Sequence, residues 1–379
     1  MPLFYKRSFA ALMMLAMTFG FFHLFITKNS FPFDFERLHI FLFNLCAGGG
    51  LILFHTRRNL PRPMGMKLAL FMLLSLLFAF SAFLESYVPA MLCASTLAIL
   101  VESERIGRFS FFPVDFFKAR IPVDQKFHQA SLLCLSMGLA ISVLVMFNES
   151  YGNWISMEKL TLNTFFLGFS FPVSLITMSV MFQIIGDNRI RLTRVLKNIG
   201  FWSVNLGVII FFIFILFEWP SLQLTISLIL FGAVLLILIL FLQDPMQAQQ
   251  KAFLTSGMLF LVFTGISGIA YILLEMSALY SYESGKFLLK MHSFASLYGW
   301  NLSGLVVIMR YEDFPIRLHS RNLIATHWIV VLILAPLGYF SPIFAVIATI
   351  SYIVLLEILF FSARSLHDKV HPHVSGSTT

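Results

Sequence analysis

Two histidines stand at matching places in long apolar runs, and their chemistry sets the first question. One run begins Arg37-Leu38-His39-Ile40-Phe41 and another Lys290-Met291-His292-Ser293-Phe294, so each reads basic–x–His–x–Phe. A third run carries a degenerate copy, Thr161-Leu162-Asn163-Thr164-Phe165. An imidazole inside an apolar bundle is costly unless it is paired, hydrated or bound to a metal. Two neutral imidazoles on facing helices supply both axial bonds of a haem iron. Arg37 and Lys290, each two residues ahead of its histidine, are placed to pair with haem propionates at the water interface. Gly48, Gly49, Gly50 and Gly299 would leave room for a flat macrocycle. A competing reading puts both histidines among lipid headgroups as hydrated groups, with Arg37 and Lys290 snorkelling. These residues alone leave both readings open. His23, near the end of the first apolar run, is either a third metal ligand or an ordinary interfacial residue.

Below each polar head runs a stripe of small residues. Steps of seven and eleven from His39 reach Cys46 and Gly50, from Asn163 Ser170 and Ser174, and from His292 Gly299 and Ser303. Such positions share one face of a regular helix. Small stripes also mark where membrane helices pack closely.

The elements that must position these residues follow from composition. Hydrophobic residues make up 59% of the 379 and charged residues 12%, with a mean hydropathy of +0.87. That balance excludes a soluble globular chain. The net charge of +8 does not indicate a nucleic-acid partner, because the cations sit in short loops where basic residues set membrane orientation. The partner implied is lipid. Cys46, Cys93 and Cys134 all lie in apolar runs without a CxxC pair, so neither a disulfide framework nor a zinc site is expected. Lys6 and Arg7 precede an apolar run with no small-residue cleavage site, which reads as a retained first helix.

Apolar runs near the ~20 residues needed to span hydrocarbon predict helices over 8–27, 37–55, 66–85, 87–102, 129–148, 160–185, 196–218, 220–243, 252–275, 286–310, 323–340 and 342–363. The fold class expected is therefore an all-α, polytopic membrane protein of about twelve transmembrane helices. Tight hairpins are expected at Ser86–Tyr87 and Trp219–Pro220. On this layout 21 Lys and Arg fall on the face holding both termini and five on the other, together the 26 of the chain. The bias places both termini in the cytoplasm of a cell whose inner membrane the chain spans. The 102–128 segment mixes cations with Phe109, Phe111, Phe112, Phe116 and Phe117. It suits either an amphipathic stretch on the interface or a plain loop with aromatic anchors.

The copies at 39, 163 and 292 are 124 and 129 residues apart, four helices each time. That spacing predicts three four-helix units, about 1–102, 129–243 and 252–363, in a pseudo-three-fold arrangement within one membrane domain. A polar tail, 364–379, follows.

Twelve helices in three such units, with outer-side histidines on helices 2 and 10, resemble the catalytic subunit of haem–copper oxidases. The stretch from His292 through Gly299 to Arg310 is also similar to that of NnrS proteins, which are haem- and copper-containing membrane proteins linked to nitric oxide metabolism. The resemblance covers most of the chain by topology but rests on short motifs. It implies a low-spin, b-type haem held by His39 and His292, and a redox protein or quinone as partner. The departures are specific. That family takes copper ligands from helices 6 and 7 and a second histidine from helix 10, whereas here helices 6 and 7 contain no histidine and helix 10 only His292. Asn163 and Asn205 do not replace imidazole ligands for copper. The resemblance thus implies a haem protein for electron transfer, accessory or sensing roles, not a terminal oxidase by itself. The alternative is a transporter or flippase with an outward-facing polar histidine cluster, although three parallel units differ from the usual two-half transporters.

The remaining polar residues carry less. His55, His128, His319 and His327 fall at helix ends or loops where solvation is expected, and His367, His371 and His373 in the tail. Glu357 lies within the last helix and is read as snorkelling or paired, with a proton path as the other reading. Glu85, Glu218 and Glu275 sit at outer helix ends. No P-loop, GxSxG, HExxH or EF-hand pattern appears.

Overall fold

The computed structural model describes residues 1–22, 24–25, 33–58, 65–155, 158–185, 191–244, 249–311 and 321–362, without the side chains of 158–159, 161–163, 166–167 and 282–283. Among these residues the chain forms twelve helical rods and no strand. They are α1 Leu3–Phe22, α2 Phe35–Arg57, α3 Gly65–Phe83, α4 Tyr87–Arg108, α5 Val123–Phe147 and α6 Glu158–Ile185. The rest are α7 Arg191–Leu216, α8 Pro220–Gln243, α9 Gln249–Glu275, α10 282–309, α11 Arg321–Phe340 and α12 Pro342–Phe361. Ten of them are long and apolar enough to cross a membrane. Every helix expected from the apolar runs is present, and the chain is an all-α polytopic membrane protein.

Contacts between helix ends fix the up-and-down alternation. At one face Tyr5, opening α1, donates to the Gly65 carbonyl that opens α3, at 3.0 Å. Arg57 at the end of α2 meets Glu104 near the end of α4 at 2.6 Å. Arg310, just past α10, donates to the Phe360 carbonyl at the end of α12, also at 2.6 Å. At the opposite face Lys290 of α10 pairs with Glu36 of α2 at 2.6 Å.

The apolar length of α2 is buried throughout. It packs on α1, α3, α6 and α10, and α6 packs in turn on α10. The three helices that carry the repeated motif therefore form the centre, with the others around them. Small residues set the spacing. A Cβ on Gly138 of α5 would stand 2.6 Å from the Gly168 carbonyl oxygen of α6. One on Gly304 of α10 would stand 1.8 Å from Thr177 Oγ1 of α6.

Two of the longer departures from expectation flank the same connector, and the first has a plain cause. Helix α4 runs on to Arg108 and α5 begins at Val123, both inside the stretch predicted as connector. Charged residues there do not end the helix because they are paired: Arg105 bridges Glu102 three residues back, and Glu104 takes Arg57 and Lys67. What remains of the amphipathic segment, 109–122, holds only a short 3-10 turn at Val114–Phe116. Phe111, Phe112 and Phe117 stand exposed along it, so the loop with aromatic anchors is the form adopted.

Both tight hairpins turn through a glutamate. Glu85 has φ 57° and Glu218 φ 55°, and Ser86 N–H reaches back to the Ser81 carbonyl at 2.8 Å. This is the left-handed helix end that glycine favours. Because the exposed Glu85 pays a steric cost that glycine escapes, Glu85→Gly should raise stability by about 1 kcal/mol. A thermal-unfolding series in detergent reads that gain; an unchanged or lowered midpoint contradicts the positive φ.

Candidate functional site

Each motif histidine packs against a glycine of the helix before it, His39 buried and His292 half-buried. On α2, Asp34 caps the helix by accepting from Arg37 N–H at 3.0 Å, and His39 lies one turn further in. Its ring rests on Gly20 of α1, where an added Cβ would be 3.6 Å from His39 Cγ. Tyr298 of α10 lies beside it, ring centroids 6.4 Å apart. On α10, His292 rests on Gly268 of α9, where a Cβ would be 3.1 Å from Nδ1. That Nδ1 lies 2.9 Å from the Thr264 carbonyl. A carbonyl only accepts, so Nδ1 carries the proton and Nε2 keeps its lone pair. His39 Nδ1 is buried without a hydrogen-bond partner.

The correspondence continues past each histidine. Helix α2 becomes π-helical over Phe41–Gly49 and α10 over Ala295–Asn301. The third inner helix, α6, stays α-helical but carries Pro172 within its length.

The haem expectation can now be tested against the space. The donor chemistry suits an iron, since His292 offers Nε2 while a carbonyl orients its ring. The gap does not. Where Gly50 was expected to leave room, the Phe9 ring fills it, 2.6 Å from the Cβ position. At Gly299 the Phe260 ring does the same at 2.4 Å, and Phe71 and Val173 close on Gly49 and Gly48. Close packing accounts for these contacts, because an unfilled gap between helices forfeits dispersion contacts. The two imidazoles also face different neighbours, His39 towards α1 and Tyr298, His292 towards α9. Lys290 is engaged by Glu36, and the Arg37 guanidinium lies 3.8 Å from Asp34 and over Phe165. A haem bridging His39 and His292 does not fit this arrangement. His23 lies outside the described residues, as does the side chain of Asn163. Among the described residues no group of three or more His, Cys, Asp or Glu is arranged to hold a metal.

Polar groups that the sequence reading passed over meet where the inner helices touch. Trp300 Nε1 of α10 donates to Ser174 Oγ of α6 at 2.9 Å, and Ser174 Oγ donates to Asn301 Oδ1 at 3.0 Å. Asn301 Nδ2 makes long contacts to Asn44 Oδ1 of α2 at 3.4 Å and the Ser170 carbonyl at 3.5 Å. Both asparagines are 0% exposed, and Asn44 Nδ2 has no hydrogen-bond partner. The available signal was an amide within each motif helix, five residues after His39 and nine after His292.

Three further histidines expected in solvent are buried. His128 Nε2 lies 2.8 Å from Thr56 Oγ1, whose own proton goes to the Ile52 carbonyl, so the imidazole donates. His55 stacks beside it with ring centroids 5.3 Å apart, and Phe109 of the connector covers the pair. His327 donates from Nε2 to the Tyr298 carbonyl at 2.6 Å, between Phe253 and Phe260. That carbonyl belongs to the π-helical stretch of α10, where the regular ladder is broken. Glu357 is exposed on the outer surface of α12, which suits the snorkelling reading.

Fold and centre together define a polytopic helical membrane protein with a buried polar core between three inner helices, two of them locally π-helical. No family model matches the chain, and no curated protein matches it.

Proposed function

We propose that the protein is a multi-pass transporter whose path runs between α2, α6 and α10, with Asn44, Ser174 and Asn301 at its narrowest polar point. One observation carries this reading. Two of the three inner helices, α2 and α10, turn π-helical where their fully buried amides meet, and the third, α6, carries Pro172 beside them. Irregular backbone at membrane depth is tolerated where it is buried in protein or lines a cavity. Interrupted helices around a central site are a common transporter construction, and π turns recur at functional sites. Carboxamides both donate and accept without carrying charge, which suits a small polar solute. His39, five residues above Asn44, stands about 7.5 Å along the helix from it and marks the approach from the opposite face. The termini lie in the cytoplasm and the membrane is the cell's inner membrane, as the 21-to-5 division of Lys and Arg argues.

Accessibility tests the path without knowing the solute. With Cys46, Cys93 and Cys134 replaced by alanine, Ser174→Cys in proteoliposomes should react with a small, charged methanethiosulfonate. The exposed Ser281→Cys serves as the positive control. If Ser174→Cys stays inert from both sides while Ser281→Cys reacts, the core is sealed and the transporter reading falls. A low-spin reduced spectrum after dithionite, lost in both His39→Ala and His292→Ala, would also overturn it in favour of a haem protein.

A further inference from the structure

A cleft beside α7, remote from the polar centre, combines buried cations with a lipid-facing aromatic groove. The 109–122 connector folds against α7, so that Phe116 meets Phe201 and Trp202, and Phe117 meets Trp202 at 5.1 Å between centroids. Phe116, Phe117, Trp202 and Leu206 line an apolar groove of about 410 Å³. Phe117 and Leu206 are exposed on the outer surface of the bundle, where acyl chains lie. A second, polar cleft of about 440 Å³ adjoins it, and Ala119 and Asn198 line both.

The charge of the paired clefts is one-sided. Arg120, Lys126, Arg194 and Lys197 line them, against one carboxylate, Asp124, among the described residues. Lys126 is only 2% exposed and Lys197 5%. Lys126 Nζ donates to the neutral Asn198 Oδ1 at 2.8 Å. A buried ammonium facing an amide rather than a carboxylate is costly unless an anion joins it. The connector is held in place for such a partner. Asp115 accepts from Ser110 Oγ at 3.0 Å and Lys118 Nζ at 2.7 Å, and the Lys118 ammonium holds its carboxyl below the ordinary range.

We propose that this cleft binds the phosphate headgroup of an anionic phospholipid, with one acyl chain along the Phe116–Trp202–Leu206 groove. Charge complementarity selects the phosphate, and continuity with the lipid-facing surface selects a lipid over a free ion. Cations at a membrane surface attract anionic lipid in this way. The proposal is independent of the transport path.

Trp202 is a built-in reporter. The detergent-solubilised full chain is titrated with short-chain phosphatidylglycerol brominated on one acyl chain, and tryptophan quenching is read. Saturable quenching is expected with this lipid and not with the matching phosphatidylcholine, and Trp202→Phe should remove most of it. Arg120 and Arg194 are exposed, so Arg120→Gln/Arg194→Gln keeps the fold. It should weaken binding about fivefold per charge removed. Lys126→Gln should weaken it further. Equal quenching by phosphatidylcholine, or unchanged affinity in the double variant, would sink the proposal. Displacement by inorganic phosphate at concentrations matching the lipid would make it an ion site and overturn the lipid assignment.

Discussion

Gly304→Ala should deplete the folded protein, and adding Thr177→Gly should restore much of it. A Cβ at 304 would lie 1.8 Å from Thr177 Oγ1, 2.5 Å from Cγ2 and 2.6 Å from Cβ. Threonine is stiff at χ1, and its hydroxyl is tied to the Val173 carbonyl at 2.9 Å. Neither helix yields without opening the α6–α10 contact at the centre of the bundle. Overpacking of this kind costs roughly 1–3 kcal/mol and occasionally more; backbone-scale separation puts this site at the upper end. Thr177→Gly removes all three clashing atoms and itself costs only about 0.3 kcal/mol of helix propensity. The double variant should therefore be more stable than Gly304→Ala alone, a non-additivity diagnostic of direct contact. Fluorescence-detected size exclusion and thermal midpoints measure it. Additive losses would place the two residues apart.

The second large effect lies at the other end of α2. Glu104 accepts from Arg57 at 2.6 Å and Lys67 at 2.5 Å, with Arg57 and Glu104 both 5% exposed. Glu104→Ala leaves a buried guanidinium without its carboxylate, a loss of about 3–5 kcal/mol. Arg57→Met/Glu104→Leu should recover most of that, because an apolar pair replaces a buried ion pair at little cost. Lys67 is 44% exposed, so Lys67→Met should change stability by less than about 1 kcal/mol. If Glu104→Ala unfolds no more readily than Lys67→Met, the buried pair is not holding α2 to α4.

The rods were legible because a spanning helix is defined by apolar length, and charge pairing explains where α4 overran. The starts of the two histidine-bearing helices are linked by the Glu36–Lys290 bridge. The neighbours of these helices were not legible. Steps of seven and eleven stay on one face only in a regular helix, and the π stretches at 41–49 and 295–301 re-phase everything beyond them. Gly50 thus meets Phe9 of α1 and Gly299 meets Phe260 of α9, whereas Ser174 in α6 turns to Trp300 and Asn301 of α10. The burial of His55 and His128 depends on a connector whose fold no local pattern encodes. Asn44 and Asn301 carry no charge and share no spacing, so nothing local in the sequence marks them as partners.

The enclosure of α2 also sets an order of assembly. It is made well before α10, yet its final surroundings include that helix, and Asn44 and Asn301 are 257 residues apart. Until α10 is synthesised, α2 must sit in lipid or against temporary neighbours with its amide unanswered. Its sequence therefore serves two masters: apolar enough to insert alone, polar enough to be recognised as incomplete. A chain stalled before α10 displays that carboxamide to the bilayer, an exposed flaw that membrane proteases and chaperones can read. Completion of the bundle encloses that carboxamide among α6 and α10.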